Sequence, residues 1–149
     1  MAKRLVILRG LPGSGKTTYQ RSHLPGAVVA SADQYFMVGE EYRFNPKFLP
    51  EAHGACCRVV IDALQAGSPL VVVDNTAISA VEIAPYVLLA QAYGYSAEII
   101  TLRCDPAVAA ARNRHQVPAD VILQRIAPAM AAAEAQFPPW WQHQVLELE

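Results

Sequence analysis

Gly10-Leu11-Pro12-Gly13-Ser14-Gly15-Lys16-Thr17-Thr18 holds the residue types needed to bind a polyphosphate, at the spacing G-x-x-x-x-G-K-[ST]. Glycines accept backbone angles that other residues resist, so successive N–H groups can turn toward one anion. A helix starting directly after the loop adds its own free N–H groups and partial positive charge. Lys16 is placed to reach terminal phosphates, and the Thr17 hydroxyl to hold Mg²⁺. Two carboxylates complete the donor and acceptor sides. Asp74 ends an apolar run and fits a metal-bound water beside Thr17; its other reading is a cap on the next helix. Asp33 follows a second apolar run and can take the proton of an incoming hydroxyl. Its ordinary pKa near ~4 makes it a weak base, so orienting the hydroxyl is its main expected contribution. Arg112 and Arg114 are candidate cations for the transferring phosphoryl group. Two positions apart they face different ways on an ideal helix, so either one is structural or the helix opens at Val117-Pro118.

These groups need particular elements to bring them together. Leu5-Val6-Ile7-Leu8 reads as a buried strand leading straight into the loop, and a helix starts at Lys16 or Thr17 and stops before Pro25-Gly26. Ala27–Ala30 is a short second strand. Ser31-Ala32-Asp33-Gln34-Tyr35 follows its C-terminal end, where ligands sit in open parallel sheets. Met37 to Pro50 is irregular and reads either as a flap over substrate or as a surface loop. A helix is expected over Glu51–Ala66, closed by Gly67. Pro69–Asp74 is a near-continuous apolar strand. Ser79–Tyr93 reads as a helix with Pro85 in its early turns, and Ala97–Leu102 as the fourth strand. Asp105-Pro106 opens a helix ending near His115. Val117-Pro118-Ala119-Asp120 restarts one through about Ala135. Trp140–Leu148 forms a last strand with Val145, Leu146 and Leu148 as core residues. Strands and helices alternate, which predicts an α/β fold: an open, mostly parallel five-stranded sheet with helices on both faces and right-handed crossovers.

With 149 residues, 53% of them hydrophobic and 17% charged, one folded domain is expected over residues 1–149. The net charge of −1 argues against wholesale electrostatic binding to a long nucleic acid, though not against a short basic groove. Three cysteines, Cys56, Cys57 and Cys104, form neither a disulfide framework nor a metal-ligand spacing. They read as reduced, mostly buried residues of a cytoplasmic protein. The first apolar run is too short for a signal peptide, and no stretch is long enough to span a membrane.

Several segments together resemble a known family. Leu8-Arg9-Gly10 through Thr18, Ser31-Ala32-Asp33-Gln34-Tyr35-Phe36, Tyr42-Arg43-Phe44-Asn45-Pro46, Ala52-His53, Val73-Asp74-Asn75-Thr76, Pro85-Tyr86 with Gly94-Tyr95, and Arg112-Asn113-Arg114-His115-Gln116-Val117-Pro118 occur in that order. They resemble the small P-loop kinases related to the kinase domain of bacteriophage polynucleotide 5′-hydroxyl kinase, especially the predicted kinases of the AAA class. The resemblance implies the P-loop NTPase fold and Asp33 as general base. It implies Lys16 and Thr17 at phosphate and Mg²⁺, Asp74 at the metal, and Asn75 as a neighbouring polar contact to the nucleotide. It places Arg112 and Arg114 in a lid whose arginine contacts the donor phosphates. Two positions depart: the phage enzyme's arginine for a 3′-phosphate is replaced by Phe36, and an asparagine usual after D-N-T is replaced by Ala77.

The expectation is an ATP- and Mg²⁺-dependent kinase that phosphorylates a hydroxyl, with a polynucleotide 5′-OH as favoured acceptor. A kinase of a nucleoside or other small hydroxyl compound is the near alternative. An ATPase or nucleotide-binding switch is a second class, but no water-positioning residue stands out for it. Trp140-Trp141 reads as packing against the sheet edge rather than as a stacking platform for bases. His53 reads equally as a substrate contact or a packed side chain.

Overall fold

A computed structural model describes residues 2–113 and 117–148. Five strands form one sheet: β1 (Arg4–Gly10), β2 (Val28–Ala30), β5 (Leu70–Asn75), β6 (Ser96–Arg103) and β7 (Gln142–Glu147). Their order is β2-β5-β1-β6-β7, and every pairing is parallel. Between β2 and β5, a two-stranded hairpin of β3 (Met37–Val38) and β4 (Glu41–Tyr42) stands apart from this sheet. The helices are α1 (Lys16–His23), α2 (Leu49–Ala66), α3 (Ala80–Ala92), α4 (Pro106–Arg112), α5 (Ala119–Val121) and α6 (Ala127–Ala133).

Alternation along β1 divides the core. Leu5 and Ile7 pack with Val71, Val73, Ile99 and the α2 and α3 residues Val60, Leu64, Ile83 and Val87. Val6 and Leu8 face the other way, onto Val72, Ile100, Leu102 and Leu24. A parallel sheet covered on both faces must be apolar at successive positions, which is why the strands read as unbroken runs. Each fully buried aliphatic side chain contributes about 1.5–3 kcal/mol of burial.

Register then fixes the site. Leu8 lies opposite Asp74, and Arg9 lies opposite Asn75 and Thr101. The ends of β1 and β5 therefore deliver the glycine loop and the acid to one edge.

Three local features differ from expectation. The irregular stretch after Met37 contains the β3–β4 hairpin and a short 3₁₀ turn at Pro46–Phe48, which Asn45 caps by accepting the Lys47 N–H. The last long helix slips from α5 into a π turn (Ile122–Ile126) before resuming as α6. Pro128 explains the slip, because it has no N–H to give to Gln124, and the Ala127 N–H reaches back to the Ile122 carbonyl instead. Val145 is exposed rather than a core residue: β7 is an edge strand, and Leu146 and Leu148 carry its packing. Trp141 packs beside Phe137, as expected for the sheet edge, whereas Trp140 is 76% exposed.

Candidate active site

The loop runs from the end of β1 to the start of α1. Gly13 (φ 84°) and Gly15 (φ 99°) adopt left-handed angles that strain any residue with a Cβ. At Gly13 there is a second reason. A Cβ there would sit 2.1 Å from the Ala109 carbonyl oxygen and 2.9 Å from the Asn113 nitrogen. The last turn of α4 thus lies directly against the loop. Leu11 anchors the same side, buried with Cys104, Ala109, Ile122 and Met130. Pro12 is half-buried, and Thr17 and Thr18 are exposed on the first turn of α1.

Lys16 folds back over the loop, its Nζ donating to the Gly10 carbonyl at 2.8 Å and the Leu11 carbonyl at 3.4 Å. Burial pushes its pKa down, while Asp74 and then Asp33 pull it up. One ammonium group therefore feels both acids. Ser14 is buried, and its Oγ has no hydrogen-bond partner among the described residues. An orphaned buried hydroxyl is costly unless a bound group satisfies it. The loop chemistry fits a phosphate at that place. Thr17 lies in the first turn of α1 and Asp74 opposite Leu8 at the end of β5, a hydroxyl and a carboxylate of the oxygen type that Mg²⁺ takes alongside phosphates and water.

Asp33 sits on a 3₁₀ turn, Ala32–Phe36, that is capped from both sides. Ser31 Oγ accepts the Asp33 N–H, and the Gln34 side chain reaches back to the Ser31 N–H. Tyr42, from β4, donates its hydroxyl to Asp33 Oδ1 at 3.0 Å. Burial first, then the Asp33 charge and this bond, hold Tyr42 firmly in its protonated form. Tyr42 lies in one of the matching segments, but nothing in its spacing points to Asp33 as its partner.

Asn75 has a task that the sequence did not suggest. Its Oδ1 accepts the Ala32 N–H at 2.9 Å, and its Nδ2 donates to Cys56 Sγ at 3.6 Å. The amide expected at the nucleotide ties the Asp33 turn to β5 and α2. Arg112 is exposed on the last turn of α4, close enough to Cys104 to oppose the burial that raises its thiol pKa. Arg112 sits in the helical turn whose Ala109 carbonyl and Asn113 nitrogen lie against Gly13, on the loop side of the molecule. Arg114 lies outside the described residues. His53 is exposed on α2.

Arg9, directly before the loop, is fully buried. Its guanidinium donates to the Ala77, Ile78 and Met130 carbonyls, Thr101 Oγ1 and Glu134 Oε1, and lies 5.0 Å over the Phe137 ring. Burial lowers its pKa, and Glu134 opposes that shift without cancelling it. Arg9 thus links β1, the turn after β5, β6 and α6 beneath the site.

The family model described as an AAA domain matches residues 5–137. Human NEDD4-binding protein 2 is 39% identical over 94 residues, which are 61% of this chain and 5% of that protein. A chain in the structure of the Pnkp1/Rnl/Hen1 RNA repair complex superposes with a TM-score of 0.73 at 17% identity, over 92% of this chain and 47% of that one. An unliganded sugar kinase from Janibacter sp. gives a TM-score of 0.57 at 18% identity, over 97% of this chain and 85% of that one. The chain thus spans about half of the first of these structures and a twentieth of the human relative. Built on a glycine loop between a buried parallel strand and a helix, with a P-loop kinase-like fold, the chain belongs to the AAA-domain family.

Proposed function

We propose that the protein is a kinase that transfers the γ-phosphoryl group of ATP to a hydroxyl, with the 5′-OH of a polynucleotide as acceptor. The observation that carries the reading is geometric: Lys16 folds over the glycine loop at the end of β1, Leu8 lies opposite Asp74, and the Asn75 amide ties the turn that bears Asp33 to the end of β5. An ATPase needs no second carboxylate fixed across from the loop. The acceptor rests on the sequence resemblance, supported by the fold likeness to a chain of an RNA repair complex.

In this reading the loop N–H groups from Gly10 to Thr18 and the Ser14 hydroxyl hold the β- and γ-phosphates. Lys16 leaves the Gly10 carbonyl to meet them. Thr17 and Asp74 would hold Mg²⁺, which neutralises charge on the donor phosphates. Asp33, oriented by Tyr42, takes the hydrogen bond of the incoming 5′-OH and aligns its oxygen for attack on the γ-phosphorus. The bond to the β-phosphate oxygen breaks, ADP leaves, and the hydroxyl proton passes to Asp33 or water. Arg112, on the last turn of α4, and Arg114 are the cations that the resemblance assigns to the equatorial oxygens. Three free cysteines suit a reducing compartment such as the cytoplasm. No helix of the described residues is long and apolar enough to cross a membrane.

The test is ATP turnover with and without a 5′-OH oligonucleotide or a nucleoside panel, alongside thermal shift with Mg²⁺-ATP. Binding at 100 times Kd raises stability by about 2.7 kcal/mol, and Lys16→Ala abolishes turnover. No binding of any nucleoside di- or triphosphate would overturn the reading. Turnover only with nucleosides would move the acceptor to the small-molecule class.

A further inference from the structure

Exposed apolar side chains gather around the hairpin that supplies Tyr42. Tyr35, Met37, Val38, Phe44 and Phe48 are each 40–56% exposed within fourteen residues. Scattered exposed apolar residues mean little, but a contiguous group beside a site marks a binding surface. A shallow pocket of about 300 Å³ opens here, lined by Tyr35, Phe36, Val38, Arg43, Asn45 and Phe48. From Asp33 to this pocket the path is aromatic throughout. Tyr42, bonded to Asp33, stacks on Phe44 with the rings 11° from parallel. Phe44 meets Phe36 edge-on at 5.1 Å, and Phe36 meets Tyr35 at 5.6 Å.

The pocket also holds a cation. The Arg43 N–H donates to the Phe36 carbonyl at 2.8 Å, which fixes its backbone beside the pocket. Among the described residues its guanidinium pairs with Glu41, at 2.8 Å, both side chains being more than 60% exposed. An exposed pair of this kind is weak, so a phosphate can displace the glutamate. Lys47 stands nearby, its ammonium 5.9 Å from the Phe48 ring centre.

Resting on the kinase reading above, we propose that this pocket is an acceptor subsite that stacks a nucleobase against Tyr35 and Phe48 and holds an adjoining phosphodiester on Arg43. Flat aromatic faces with one nearby cation suit a base and its phosphate. A polyol would instead require a ring of hydrogen-bonding side chains, whereas four of the six lining residues are aromatic or aliphatic. The aromatic path sets the subsite next to Asp33, so the acceptor is read on the sugar–base side while its 5′-OH faces the carboxylate.

The test measures two quantities on the intact protein. One is equilibrium binding of a fluorescent 5′-OH hexanucleotide at low and high salt. The other is the KM of the same hexanucleotide and of a nucleoside 3′-monophosphate in the kinase assay. Tyr35→Leu and Phe48→Leu keep apolar bulk but lose the stacking face, and each weakens hexanucleotide binding roughly ten-fold. Arg43→Gln weakens binding and flattens its salt dependence by about one counterion. Val81→Ala, at an exposed position on α3, is the control and changes neither quantity. Equal losses for the monophosphate and the hexanucleotide assign the subsite to a single nucleotide unit; a loss for the hexanucleotide alone extends it along the strand. If the native protein phosphorylates the hexanucleotide and all three variants match it in binding and KM, the subsite is wrong and the kinase reading stands. If the native protein phosphorylates nothing but Tyr35→Leu and Phe48→Leu still weaken binding, the subsite stands and the kinase reading fails.

Discussion

Asn75→Ala separates a holding role from a nucleotide contact. The substitution removes the acceptor of the Ala32 N–H, a 2.9 Å bond, together with a weaker 3.6 Å contact to Cys56 Sγ. Ala32 is 7% exposed, so water cannot replace the lost oxygen without a local opening. A buried donor left unsatisfied costs about 1–3 kcal/mol. For a chain of this length that lowers Tm by roughly 3–10 °C. The larger consequence falls on Asp33, the next residue. With the turn untied from β5, the Asp33 N–H keeps its Ser31 cap and the carboxylate its Tyr42 partner, but the carboxylate loses its fixed distance from the loop. A misplacement near 1 Å costs on the order of 10²-fold in rate. Asn75→Asp is the companion variant, since its carboxylate oxygen still accepts the Ala32 N–H. The account predicts that Asn75→Ala cuts the single-turnover rate about 10²-fold with Mg²⁺-ATP affinity within about two-fold of native, and that Asn75→Asp recovers much of the lost stability. Loss of ATP affinity with the transfer rate preserved would refute the argument and return Asn75 to the nucleotide.

Two further predictions concern the scaffold. Arg9→Met removes five hydrogen bonds from a fully buried position and leaves three backbone carbonyls without their donor. Unfolding in urea should show a loss of about 3–5 kcal/mol, and a loss below about 1 kcal/mol would contradict the buried network. His143, whose Nε2 lies 2.7 Å from Thr101 Oγ1, is held by burial below the ordinary histidine pKa. The unfolded chain then binds the extra proton first, so stability falls as pH drops below about 6.5 and levels off below the folded-state pKa. His143→Gln should remove up to about 1.4 kcal/mol per pH unit from that slope, and identical slopes in both proteins would exclude the effect.

The open parallel sheet, the loop and the positions of Asp33 and Asp74 after buried strands were legible because each follows from local pattern. An apolar run followed by glycines and Lys16 has one sterically sensible arrangement. Asp33 and Asp74 were found because acids that end buried strands stand out against them. What escaped were pairings between distant residues. Arg9 appeared only inside a matching segment, yet its partners come from residues 77 to 134. Tyr42 was hidden for the same reason: its bond to Asp33 depends on a hairpin whose two strands are two residues each. Asn75 was read by its neighbourhood to Asp74, although strand alternation sends it to Ala32 and Cys56. Val145 was misjudged because alternation alone does not tell an edge strand from a covered one.

The central claim is that donor and acceptor are served by different acids. Single-turnover phosphorylation of a 5′-OH oligonucleotide by Asp33→Asn, with Mg²⁺-ATP affinity measured on the same sample, tests it most directly. The substitution keeps the size of the side chain and an oxygen for the Tyr42 hydroxyl but removes the acceptor of the substrate proton. The account predicts unchanged ATP affinity and a transfer rate lower by roughly 10²–10⁴-fold. Transfer at the native rate, or loss of ATP binding in its place, would contradict it.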